Sequence, residues 1–336
     1  MWCRNRILWS ISKKKPDMPD LPKIVAVVGP TASGKTACGL EIARAFDGEV
    51  LAVDSRTVYR DMDIGTAKPS FDEKRDDVAL PTSIHALFSG GKPKMVDGIP
   101  HWGFDLAEPS EDYSVAEFQG YAVRVIADIL SRHRLPVLVG GTGLWMDAIV
   151  DNLSFPEVPP NKTLREEFER RTTDDLFAEY QRHDPQGAEE IDRDNKRRLV
   201  RALEVCRETG QPFSTLRKRG PEKYHALWVG MDVPKEVLEQ CIGERVNQMI
   251  AKGLVSEVRR VRERYGADAP ALFAIGYREI CEFFDGYLSL EAAILEMKKN
   301  TRRFAKRQMT WFKRREEIVW VGECEEALAE VGAFVT

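Results

Sequence analysis

The sequence predicts an α/β fold, a parallel sheet covered by helices on both faces and interrupted by a helical insertion. Three observations carry that expectation. Short continuous runs of apolar, often β-branched residues recur, as strands buried on both faces require. Segments with helical spacing of apolar residues alternate with them. From about residue 161 to 201 the strand-like runs stop, and charged, helix-forming residues take over. At 336 residues the chain exceeds what one compact core usually holds, so two packed units are expected.

Taken in order, residues 1–22 form an N-terminal extension expected to be disordered or to follow an upstream start codon. Arg4, Arg6, Lys13, Lys14 and Lys15 surround a short apolar stretch (Ile7, Leu8, Trp9, Ile11) that Ser10 and Ser12 break. That pattern suits a signal peptide poorly and leaves an organelle transit segment as the alternative. Ile24 to Val28 reads as the first strand, followed by a glycine-rich turn and a helix presenting Ala37, Leu40, Ile42 and Ala43. Val50 to Val53 gives a second strand ending at Asp54. Residues 70–100, with Gly90-Gly91, Pro93 and Pro100 and little periodicity, are expected to form a long surface loop. Tyr121 to Leu130 has an amphipathic pattern and leads through Pro136 into a strand at Val137–Val139, which ends in Gly140-Gly141-Thr142-Gly143. Leu164, Phe168, Leu176, Phe177 and Tyr180 give the insertion modest apolar faces. The core is expected to resume in the helix containing Leu199, Leu203 and Val205, with further strands at Leu227–Val229 and Ile318–Val321. The resulting division is a core of 23–150 plus 202–336, with a helical insertion at 151–201.

Composition narrows the class. Hydrophobic residues at 43% and charged residues at 31% describe an ordinary soluble globular protein. The net charge of −4 does not itself favour nucleic acid, so the distribution of charge matters more than its sum. Cys3, Cys38, Cys206, Cys241, Cys281 and Cys324 form no CxxC pair and no zinc spacing, which predicts reduced thiols in a cytoplasmic protein. No apolar run is long enough to span a bilayer, so no membrane partner is expected.

The strongest local motif is Gly29-Pro30-Thr31-Ala32-Ser33-Gly34-Lys35-Thr36. It fits GxxxxGK[ST] between a strand and a helix, the setting of a phosphate-binding loop, and so predicts a P-loop NTPase-like core. Backbone N–H groups of such a loop point inward at a polyanion, and the helix dipole adds to the attraction. Lys35 would neutralise phosphate oxygens and the Thr36 hydroxyl would face a hydrated Mg²⁺. A nucleotide hydrolase normally ends its third strand in a Mg²⁺-supporting aspartate; this chain ends it in glycines and Thr142, which suits a second polar substrate better. Asp54 stands at a strand's C-terminal end, where α/β sheets bind ligands. It suits a Mg²⁺ ligand or a general base, with a helix cap as the structural alternative.

A second constellation lies near the C-terminus. Between Lys298 and Arg315 stand nine basic residues and no acid. Arg302 with Lys306, and Arg303 with Arg307, are four apart, so a helix stacks them into a stripe that suits nucleic acid or pyrophosphate. Phe304, Trp311 and Phe312 are interleaved, placed to stack on bases or to anchor the helix. Lys196, Arg197, Arg198 and Arg201 form a second basic segment.

GPTASGKT at 29–36, VDSRTVYRDMDIGTAKP at 53–69, YSVAEFQ at 113–119, VLVGGTGL at 137–144, RLVRALEV at 198–205, AIGYREI at 274–280 and TRRFAKRQMTWFK at 301–313 stand in one order. Together they resemble the tRNA dimethylallyltransferase (isopentenyltransferase) family in its bacterial form, which lacks a zinc finger. The resemblance implies dimethylallyl diphosphate and Mg²⁺ as ligands, and the tRNA anticodon stem-loop as partner. The acceptor it implies is N6 of the adenosine immediately 3′ of the anticodon. It implies Asp54 as general base and Thr142 at the reacting base. It implies tRNA contacts from Asp54, Ser55, Arg56 and Thr57, from Arg165, and from the segment Arg197, Arg198, Leu199, Val200 and Arg201. It also implies a monomer. The sequence departs from the family at His101-Trp102, where a His-His pair is usual, and at Trp145, where tyrosine is common. An isopentenyltransferase acting on free adenine nucleotides is the alternative; it needs neither the basic stripe nor the insertion. A P-loop nucleotide kinase is disfavoured by the missing strand-end aspartate.

Overall fold

The computed structural model describes residues 21–72, 92–156, 158–216 and 218–336. The expected extension at 1–22 lies almost wholly outside the described residues, as does most of the 70–100 segment. Among the described residues seven strands form one sheet: β1 (Lys23–Val28), β2 (Gly48–Ala52), β3 (Lys94–Val96), β4 (Ile99–Trp102), β5 (Leu135–Gly140), β6 (His225–Met231) and β7 (Ile318–Val321). Their order is β3-β4-β2-β5-β1-β6-β7, parallel throughout except for the β3–β4 hairpin. That hairpin corrects the loop expectation over residues 94–100, whereas 73–91 lie outside the described residues. Its turn is Asp97-Gly98, both at positive φ, a two-residue pattern that closes antiparallel strands.

The helices are α1 (Lys35–Ala45), α2 (Val115–Ser131), α3 (Gly143–Val150), α4 (Lys162–Glu169), α5 (Thr173–His183), α6 (Pro185–Glu190), α7 (Lys196–Thr209), α8 (Phe213–Leu216), α9 (Lys235–Ala251), α10 (Leu254–Tyr265), α11 (Tyr277–Phe284), α12 (Leu290–Phe312) and α13 (Cys324–Val335). A 3₁₀ turn spans Pro270–Phe273.

The pleat of β1 explains the layering. Ile24, Ala26 and Val28 point to a core shared with α2, α3 and α9 to α12, whereas Val25 and Val27 point to one shared with α1 and α13. Every residue from Ile24 to Val28 is fully buried, so the central strand must read as a continuous apolar run.

A third, separate cluster joins Phe168, Leu176 and Tyr180 to Leu199, Val200 and Leu203. The sequence reading placed the α7 residues Leu199 and Leu203 in the resumed core. They instead close the insertion's own core, because one apolar face of α7 covers α4 and α5. The pairing of Cys38 on α1 with Cys324 on α13 is a second correction: these two thiols are joined as a disulfide, their Cα atoms 5.3 Å apart. The tertiary fold brings together residues 286 apart in sequence, a separation no local motif records.

Candidate active site

The sheet aims β1, β2, β4 and β5 at one edge, and the turns that leave their C-terminal ends border a cavity of about 410 Å³. Its floor is the loop from Gly29 to Thr36. Gly34 has φ 81°, a conformation that favours glycine, and it turns the chain into α1. Thr31, Lys35 and Thr36 line the cavity. The Ser33 hydroxyl is buried and has no hydrogen-bond partner among the described residues, an open polar group within the Gly29–Thr36 loop. Pro30 and Ala32 shape the turn, and the Lys35 ammonium donates to the Pro30 carbonyl at 3.0 Å. Burial, and then the Arg245 charge, push the Lys35 ammonium down to about 8, while Asp54 opposes the shift.

The facing wall comes from the turn after β2. Asp54 accepts a 2.8 Å bond from the Arg56 amide through Oδ1, so it caps the turn that follows. The same carboxylate acts electrostatically on Lys35, Arg56 and Arg245. The cap and the chemical reading therefore coexist. Ser55 donates its amide to the Thr142 hydroxyl at 3.2 Å, which brings the second-strand turn and the Gly-Gly-Thr-Gly turn together. Thr57 is buried at the cavity wall. Gly141 is required because a Cβ there would collide with the Gln308 amide nitrogen. That close approach explains why β5 ends without an aspartate.

Two residues at this site were missed by the sequence reading. Gln308, 5% exposed on α12, accepts from the Thr31 amide at 2.8 Å and donates to the Gly141 carbonyl at 2.9 Å. One side chain thus ties the phosphate loop to the Thr142 turn. Arg245 on α9 lines the cavity opposite Asp54, and desolvation lowers its affinity for its proton despite that carboxylate. Both were legible as a class. Gln308 falls between Ala305 and Phe312, and Arg245 between Ile242 and Met249, at the three- and four-residue spacing of a buried stripe. A polar or charged residue on such a stripe needs a partner or a ligand.

His101 also lines the cavity. Its Nδ1 is buried without a partner among the described residues, and burial pushes the imidazole down to about 3, so it is neutral. The next residue on β4, Trp102, points the other way and donates from its indole to Glu49 at 2.8 Å in the interior.

The basic run divides on inspection of partners. Arg307 lines the cavity mouth with its guanidinium 5.8 Å from the Phe304 ring centre. Arg302, Arg303 and Lys306 are exposed on the same helix. Arg315 is structural: it pairs with Asp147, Asp151 and Glu317 and stacks 4.1 Å from the Trp228 ring centre. In the insertion, Arg197 and Arg198 are exposed at the start of α7, and Arg197 adds a repelling charge at Arg56. Arg165 and Arg201 converge on Glu204, whose carboxylate is fully buried, at 2.8 and 2.6 Å. Leu199 and Val200 are buried in the insertion core. That burial corrects the expectation of tRNA contact for those two side chains, because the apolar face of α7 turns inward.

The IPP transferase family model matches residues 57–315. The tRNA dimethylallyltransferase of Thermomicrobium roseum is 40% identical over 315 residues, covering 92% of this chain and 87% of the relative. That of Herpetosiphon aurantiacus is 41% identical over 298 residues, covering 87% and 88%. The chain belongs to the IPP transferase family. Among solved structures, the tRNA isopentenylpyrophosphate transferase of Bacillus halodurans is similar, with a TM-score of 0.63 and 35% identity over 93% of this chain and 95% of that one. A eukaryotic dimethylallyltransferase acting on tRNA shares the fold at a TM-score of 0.70 and 23% identity, over 94% of this chain and 79% of that one. The family match spans Thr142, Arg245 and Gln308, and the similarity to the Thermomicrobium roseum relative extends over most of the remaining chain.

Proposed function

We infer that this chain transfers a dimethylallyl group from dimethylallyl diphosphate to N6 of the tRNA adenosine immediately 3′ of the anticodon, releasing diphosphate. The observation that carries the reading is the cavity itself: Lys35 and Arg245 line it together with Asp54, and the Thr142 hydroxyl accepts from the Ser55 amide at its edge. The volume suits a small ligand.

The allylic C–O bond breaks as negative charge gathers on the departing diphosphate. The loop amides, Lys35 and Arg245 stabilise that charge in a partly desolvated site. The C–N bond forms to the adenine N6, and Asp54 accepts the amine proton. Thr142, held by Ser55, positions the base. Mg²⁺ fits the donor set, since it is commonly held by one or two protein oxygens plus phosphate oxygens and waters. Thr36 would hold it, and it would supply further charge neutralisation. The insertion (151–201) and the exposed Arg197, Arg198, Arg302, Arg303 and Lys306 would hold the anticodon arm.

Free adenine nucleotides are disfavoured as acceptors, because they give those outlying cations nothing to bind. Incubation with labelled dimethylallyl diphosphate and either an anticodon stem-loop or AMP tests this. Mass spectrometry should place one dimethylallyl group on the loop adenosine. Label on AMP with an unmodified stem-loop would reverse the assignment.

A further inference from the structure

Phe273 is the large apolar side chain that the cavity least explains. It lines the opening yet is 60% exposed, while its neighbours Ala271, Leu272 and Ala274 are 0%, 3% and 4% exposed. The chain cannot easily turn the ring inward. It ends a 3₁₀ turn fixed on both sides: the Ala271 amide donates to the Pro109 carbonyl at 3.2 Å, Leu272 to Ala269 at 2.9 Å, and Ala274 to Ala271 at 3.1 Å. Burial of the flanking side chains anchors the turn, so the ring is presented from a fixed backbone position at the lip. Across the opening stand Phe304, already covered by Arg307, and Arg278, which is engaged by Glu279 at 2.7 Å. Among the described residues no ring or guanidinium covers the Phe273 face.

We propose that Phe273 is a stacking platform for the nucleobase that enters the cavity. A base drawn out of an RNA loop loses stacking on both faces, and that cost must be offset where it arrives. An aromatic face at the entrance, carried on a fixed turn, supplies stacking where the base arrives, and a phenyl ring accepts any base. The cations around the opening engage phosphates and cannot replace this contact. Phe273 therefore sets acceptor affinity and leaves the diphosphate donor untouched.

The inference rests on the tRNA-transfer reading, and the experiment separates the two. Steady-state kinetics are measured for the wild type and for Phe273→Ala, Phe273→Leu and Phe273→Trp with an anticodon stem-loop and dimethylallyl diphosphate. The ring is exposed, so the variants should fold. The alanine variant should raise KM for the stem-loop roughly tenfold, in line with the loss of one base–aromatic stack. KM for the donor should stay unchanged, tryptophan should restore the acceptor KM, and leucine should not. An unchanged stem-loop KM, an equal rise in the donor KM, or full rescue by leucine would each overturn the stacking role. A wild type that modifies no RNA would instead overturn the proposed function.

Discussion

Lys35 and Asp54 carry opposite demands within one cavity. Burial beside Arg245 holds Lys35 near 8, well under its ordinary 10.5, so it loses its proton as pH rises through about 8. In the proposed function the charged form binds diphosphate, so donor affinity should be full below that pH and fall as pH climbs above it. The expected slope approaches tenfold per unit, with proton uptake on binding visible as buffer-dependent heat in titration calorimetry; a pH-independent dissociation constant between 7 and 9.5 would contradict it. Asp54→Asn keeps the acceptor for the Arg56 amide but removes the proposed base. Its kcat should fall about 10²- to 10⁴-fold while stem-loop binding persists, as single-turnover and binding assays would read. Both residues were legible in the sequence, since each stands in a fixed place within a strand-to-helix motif. Arg245 was legible only as a charge interrupting a buried stripe: it lies on a helix with no motif, and the packing of α9 against α12 brings it to the cavity.

At the scale of elements, α12 does more than carry positive charge. Its inner face buries Met297, Ala305 and Phe312, and Gln308 interrupts that face to tie two turns together. Gln308→Ala leaves the Thr31 amide and the Gly141 carbonyl without partners, a loss of about 1–3 kcal/mol for each buried group. The expected result is a lower denaturation midpoint together with a raised donor KM, and Gln308→Glu should recover only the Thr31 half. The sequence showed α12 as a basic stripe because charge is visible in a linear string. It did not show that Arg315 turns inward to Asp147 and Asp151, or that Arg165 joins Arg201 on Glu204, because Arg315 and Arg165 meet partners from distant segments. The α/β alternation was legible since buried parallel strands require continuous apolar runs. The β3–β4 hairpin was not, because three- and four-residue strands leave too short a pattern.

Across the whole molecule, charge is sorted rather than abundant. A chain of net −4 presents cations at the cavity mouth and at the start of α7, so its affinity for RNA depends on placement. The link between Cys38 and Cys324 works at the same scale. It closes nearly the full chain, and cross-links over long loops restrict the unfolded ensemble most, by up to about 5 kcal/mol in the chain-entropy view. Reductant should therefore lower the melting temperature by several degrees, and Cys324→Ser should melt at the lower value with or without it. The adjacency of Arg307 and Gln308 has its own outcome. Arg307 lines the cavity mouth while Gln308 holds the Gly29–Thr36 loop, so consecutive residues of one helix touch both ends of the site. Any coupling between donor and acceptor through that helix must be reciprocal, each changing the other's affinity by the same factor.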